Sequence, residues 1–142
     1  MLVLDTSVLA ALMQREPDPA LIGWLDAQPH ASVWTTTLTV AEVEASFAEV
    51  ADAARRERLE AAFAAVLTDD LEGRVLVFDR AAAAAAAALT ARERRAGRVL
   101  TTRDALVAGI VMARKGTLAT GEAQRFTRLG VKTLDPWRSS GA

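Results

Sequence analysis

Cysteine is absent from the 142 residues, which excludes disulfide bridges, thiol nucleophiles and cysteine-bound zinc. Histidine occurs once, as His30 in a Gln-Pro-His-Ala turn between a helix and a strand, so acid–base catalysis by a histidine pair is impossible. No serine stands in a nucleophile-elbow context, which leaves water as the nucleophile for any hydrolysis. A basic leader, a cleavage site and a long apolar stretch are all missing from the N-terminal residues. The expectation is a soluble cytoplasmic protein with no membrane association.

What is present fills one compact domain over residues 1–142, with hydrophobic residues at 51%, a figure that alanine inflates. The formal charge of −1 conceals an asymmetry. Residues 1–90 carry 6 Lys/Arg against 14 Asp/Glu, whereas residues 91–142 carry 11 against 4. A basic C-terminal third beside acidic residues suits a polyphosphate substrate, whose backbone needs cations. Solvated helix faces would account for the same arginines.

The pattern alternates strand and helix, which predicts an α/β domain with a mainly parallel sheet. Strands are expected at 2–4, 31–36, 74–78, 117–120 and 131–134. Thr6 or Ser7 is placed to cap a helix reaching Gln14, and Asp18-Pro19 opens another that carries Leu21, Ile22, Trp24 and Leu25. Thr39, three residues before Glu42, has capping-box spacing and predicts a helix from there to Val50. A helix over 52–67 follows, with Leu59, Phe63 and Val66 on one face, which suits either core or a partner groove. The run of eight alanines after Arg80 is a helix closed by Gly97, and Arg103 to Arg114 is a further one.

Four acidic residues fall at strand ends or helix starts: Asp5, Glu42, Asp104 and Glu122. Carboxylates at the ends of open parallel strands converge on the ligand-binding crevice, and their mutual repulsion calls for a cation. Magnesium or manganese fits, and magnesium points to phosphate chemistry. Each acid also has an ordinary reading. Asp5 could cap a helix, Glu42 and Asp104 could be first-turn acids favoured by the helix dipole, and Glu122 could be a solvated loop residue. Only the four together, each after or beside a strand end, point to a metal site.

The surroundings of these acids resemble the PIN-domain ribonucleases, particularly the VapC-like toxins of bacterial type II toxin–antitoxin pairs. The similarity is carried by Leu-Asp-Thr-Ser-Val-Leu at the start, Thr-Val-Ala-Glu, Asp-Ala-Leu-Val-Ala-Gly, Leu-Ala-Thr-Gly-Glu-Ala-Gln-Arg-Phe and the final Asp-Pro-Trp, in the family's order. The resemblance implies a PIN-like three-layer fold, with about five strands flanked by helices. It also implies magnesium-dependent endonucleolytic cleavage of RNA, with manganese as a substitute, by Asp5, Glu42, Asp104 and Glu122. Glu122 stands where relatives more often have Asp or Asn, Gly121 where Arg is common, and Arg125 where many carry an acid. Thr6, Ser7 and Thr120 fall on polar positions that would orient the carboxylates.

Partners implied by the resemblance are a small antitoxin, whose C-terminal segment covers the groove and sends a basic side chain toward the carboxylates, an RNA substrate and a second toxin copy. Arg103, Arg125 and Arg128 are the expected RNA contacts. Two competing readings remain open from the residues: a catalytically silent PIN-fold binding module, and a receiver-like phosphoacceptor domain built on Val-Leu-Val-Phe-Asp79. The second lacks the acidic pair after the first strand and the lysine after a later one, and Asp79 is better placed as the cap of the alanine helix.

Overall fold

The computed structural model describes residues 1–139, and the last three residues of the expected 1–142 domain lie outside them. Five short strands, β1 (Leu2–Leu4), β2 (Val33–Thr36), β3 (Val75–Leu76), β4 (Thr117–Ala119) and β5 (Thr133–Leu134), form one sheet in the order β3-β2-β1-β4-β5. Every neighbouring pair is parallel. The helices are α1 (Thr6–Leu12), α2 (Pro19–Asp26), α3 (Thr37–Phe47), α4 (Ala53–Ala65), α5 (Arg80–Arg95), α6 (Thr102–Ala113), α7 (Ala123–Arg128) and α8 (Pro136–Ser139).

Side chains alternate across a strand, and here the alternation divides the core in two. Leu2 and Leu4 pack with Val8, Leu21, Val43, Phe47 and Phe63, drawn from α1 to α4. Val3, between them, packs with Leu89, Val107, Ile110 and Phe126 on the opposite side, drawn from α5 to α7. The fold is the expected three-layer α/β sandwich with a wholly parallel sheet. The thin alanine face of α5 lets α6 approach closely. A Cβ built on Gly109 would lie 2.6 Å from the Ala82 carbonyl oxygen, so no other residue fits that crossing unmoved.

The chain runs outward from β1 through β2 to β3, then crosses back to β4 on the far side of β1. Such a reversal opens a crevice at the carboxyl ends of the two central strands, where open α/β sheets bind ligands. Asp5 follows β1 and Thr120 follows β4, so both stand at that reversal.

Several element boundaries differ from the sequence expectation. The cap of α3 is Thr36, whose hydroxyl accepts from the Thr39 amide at 3.0 Å, so Thr39 lies inside the helix and Glu42 sits beyond its first turn. Two threonines three residues apart compete for one cap, and the first wins because β2 delivers the chain there in extended conformation. Residue Asp5, rather than Thr6 or Ser7, occupies the N-cap position of α1, which ends at Leu12 instead of Gln14. Residues 30–32 form a 3-10 turn, which shortens the second strand. The third strand keeps only Val75 and Leu76, and the fifth keeps Thr133 and Leu134, since both lie at sheet edges.

Candidate active site

Asp5 is 2% exposed and occupies a helix N-cap, yet its carboxylate makes no capping bond. Its two oxygens point elsewhere: Oδ1 accepts from Arg103 at 2.7 Å, and Oδ2 accepts from the Thr120 hydroxyl at 2.8 Å. A buried carboxylate diverted from the cap at its own helix is held for another purpose than local stability.

The other three acids reach the same place from three helices. Asp104, 6% exposed, sits in the first turn of α6, whose cap Thr101 accepts from the Asp104 amide at 3.2 Å. Glu42 comes from the middle of α3 and its Oε2 accepts from the Thr6 hydroxyl at 3.3 Å. Glu122 stands at the N-cap of α7, with its amide donated to the Thr120 hydroxyl at 3.0 Å and no capping bond from its side chain. Asp5, Glu42, Asp104 and Glu122 together line one cavity of about 440 Å³. Its mouth is outlined by Glu122, whose side chain is 58% exposed, whereas Asp5 and Asp104 form the floor.

Two arginines neutralise much of this charge. Arg103 donates from Nε to Glu42 Oε1 at 2.6 Å, from one terminal nitrogen to Asp5 at 2.7 Å, and lies 3.4 Å from Asp104 through the other. Burial by itself would lower the pKa of Arg103; the charge of Asp5 and the hydrogen bonds of Glu42 and Asp5 outweigh it and hold the group above the ordinary arginine value. Arg125 pairs with Asp104 at 3.1 Å, lies 3.9 Å from Glu122 and stacks its guanidinium 5.3 Å from the Phe126 ring centre. With Arg103 interposed, no three acidic or histidine side chains among the described residues are drawn together closely enough to chelate an ion directly.

The family pattern of the PIN domain matches residues 2–132. The chain belongs to the PIN-domain family. This PIN domain is 34% identical over 139 residues to plasmid stability protein StbB of Pseudomonas syringae pv. tomato, covering 98% of this chain and all of that one. It is 32% identical over 137 residues to VapC ribonuclease Y4jK of Sinorhizobium fredii, covering 96% and 98%. Among solved structures, FitAcB from Neisseria gonorrhoeae superposes with a TM-score of 0.82 at 24% identity, over 96% of this chain and 99% of that one.

The PIN domain brings the expected polar residues beside its acids. Thr6 and Thr120 bond Glu42 and Asp5 directly, while Ser7 holds the turn after β4, accepting from the Gly121 amide at 3.0 Å. Of the arginines expected to meet RNA, Arg103 and Arg125 face the carboxylates and Arg128 is exposed at the end of α7. Thr101 was not singled out from sequence, although its spacing of three before Asp104 is a cap signal. His30 lies outside the cavity and bonds Glu72 at 2.9 Å on the surface. Asp79 caps α5 through the Ala82 amide at 2.9 Å and pairs with Arg114 at 3.2 Å, at the edge strand.

A second, larger groove of about 1020 Å³ shares Thr6 and Glu42 with the cavity. Val43, Phe47 and Leu59 line it, with Arg15, Arg55 and Arg58 among its polar residues. Nothing in the sequence brings these three arginines together, because Arg15, after α1, and Arg55 and Arg58, on α4, line one groove only in the folded chain.

Proposed function

We propose that this chain is a magnesium-dependent endoribonuclease, with manganese as a substitute, acting as the toxin of a toxin–antitoxin pair and as one PIN-like domain over residues 1–142. The observation that carries the reading is the convergence of Asp5, Glu42, Asp104 and Glu122 on one cavity at the strand-order reversal. The donor set is all oxygen and anionic, which fits a hard dication, and the positive charge now among the acids is a guanidinium. When bound, magnesium supplies Lewis acidity to the attacking water and the phosphoryl oxygen and offsets charge on the leaving oxygen.

The chain's own contribution is placement. Thr120 anchors the side chain of Asp5, Thr6 that of Glu42, and the Thr101 cap the backbone of Asp104, so each acid keeps a fixed partner as the cluster closes on an ion. Asp5 and Asp104 are the best buried of the four acids and serve as inner ligands. Glu122, more exposed and one methylene longer than aspartate, acts at the mouth through water or a second ion. Arg128 gives phosphate contacts to the RNA backbone. Water is the nucleophile, since Ser7 has no base beside it and His30 lies elsewhere.

The partner is an antitoxin whose C-terminal segment lies in the groove over Val43, Phe47 and Leu59 and brings a basic side chain to Glu42. The toxin itself forms a homodimer. No helix among the described residues is long and apolar enough to cross a membrane, and the proposed RNA substrate supports a cytoplasmic reading. A binding-only module is the second reading, favoured by the two arginines that occupy the acids. The test is cleavage of a labelled RNA across a magnesium titration. The ribonuclease reading expects Asp5→Asn to lose about 100-fold or more of the rate. Cleavage that is absent in the native protein, or equal in the variant, leaves only the binding reading.

A further inference from the structure

We propose that Arg103 is an exchangeable counter-ion of the carboxylate cluster: in the metal-free protein its guanidinium holds Asp5, Glu42 and Asp104 together, and it must leave for a divalent cation to enter. The inference rests on the proposed metal-dependent reading and extends it to this chain's own residue. Three observations carry it.

The guanidinium is shared. Its three nitrogens approach three separate carboxylates at 2.6, 2.7 and 3.4 Å, and one of them also donates to the Thr6 hydroxyl at 3.3 Å. A planar fork that meets three acids from three elements takes the position a chelated cation would need. The acids are correspondingly spread around it, and no three close on a common point.

The acids do not need Arg103 for their own orientation. Asp5 keeps Thr120, Glu42 keeps Thr6, and Asp104 keeps Arg125 when Arg103 is withdrawn. What Arg103 supplies is charge, since without it Asp5 and Glu42 have no cationic partner among the described residues. Its side chain is also 28% exposed, on the first turn of α6, so a path to solvent exists.

A structural residue and a counter-ion differ in the sign of one measurement. If Arg103 merely shapes the site, its removal lowers both stability and metal affinity. If it competes with the cation, removal destabilises the metal-free protein and strengthens metal binding. Titration calorimetry with Mn²⁺ alone, with thermal unfolding in chelator and in saturating Mn²⁺, should compare the native chain with Arg103→Gln and Arg103→Lys. The expected result is a Kd for Mn²⁺ tightened about tenfold or more in Arg103→Gln, an intermediate value in Arg103→Lys, and a larger Mn²⁺-induced rise in Tm for both.

Equal or weaker Mn²⁺ binding in folded Arg103→Gln overturns the counter-ion role and leaves the metal reading standing. Absence of Mn²⁺ binding in all three proteins overturns both. Should the glutamine variant fail to fold, the native protein decides: the Arg103 Nε–H resonance, identified by its loss in Arg103→Lys, should move to the position of a solvated arginine as Mg²⁺ is added. A resonance that stays in place while Mg²⁺ binds overturns the proposal.

Discussion

The Thr120 hydroxyl donates to Asp5 Oδ2 at 2.8 Å across the boundary between β1 and β4, joining residues 115 positions apart. Both groups are buried, Thr120 at 0% and Asp5 at 2% exposure. The bond therefore fixes a charged side chain that is almost wholly shielded from solvent.

Thr120→Val keeps the shape and removes the donor. It should cost about 1–3 kcal/mol, because a buried carboxylate oxygen is left without its partner. The Glu122 amide loses its acceptor in the same change. Urea unfolding measures the loss, and RNA cleavage per folded molecule should fall with it, whereas Thr120→Ser should restore much of both.

Glu122→Gln should weaken magnesium-dependent cleavage less than Asp104→Asn does. Glu122 is 58% exposed at the cavity mouth, and Asp104 is 8% exposed on its floor. Rates measured across a magnesium titration check the order, and an equal or greater loss at Glu122 would promote it to an inner ligand.

Arg128 and Arg125 should behave differently although they share one helix. Arg128→Ala should weaken binding to every RNA and flatten the log-log salt dependence by roughly one unit, as a lost phosphate contact does. Arg125 is tied to Asp104, so Arg125→Ala should lower stability while leaving the salt slope nearly unchanged. Affinity against salt, with thermal unfolding alongside, separates them.

Glu93 predicts an acid-dependent stability. The hydrogen bond from Arg98, at 2.6 Å and aided by Arg92, outweighs burial and holds the Glu93 carboxyl down at about 2, from an ordinary value of 4.5. The charged form is thus favoured by folding. Its contribution is complete above the ordinary value and is lost as pH falls from about 4.5 toward 2. The difference in unfolding midpoint between native protein and Glu93→Gln should therefore be constant near neutrality and shrink through that window.

Three of the four acids are legible in the sequence because each sits at a punctuation mark, Asp5 at the end of an apolar strand and Asp104 and Glu122 at helix starts, whereas Glu42 lies in the middle of α3. Strand order was not, since very short strands at 75–76 and 133–134 leave little pattern to pair. The sequence places Arg103 beside the site but does not show which partners it takes, as adjacency to Asp104 says nothing of which way a long side chain turns. Its acceptors Asp5 and Glu42 lie 98 and 61 positions away. The cap of α3 was misplaced for a local reason, two equally good capping threonines at 36 and 39. Asp79 caps α5 as the sequence suggests, since the strand end is followed at once by the strongest helix-forming run of the chain, and the Ala82 amide makes the bond.

Placing β1 at the centre of the sheet has a consequence for the timing of synthesis. Asp5 is synthesised well before β4, one of the two strands beside β1, and the hydroxyl that orients it, which are encoded more than a hundred codons further on. Until Glu122 has been made, a growing chain holds only part of the acid cluster and lacks the turn that frames it. Assembly of the acid cluster is consequently coupled to completion of β4 and of the turn that follows it.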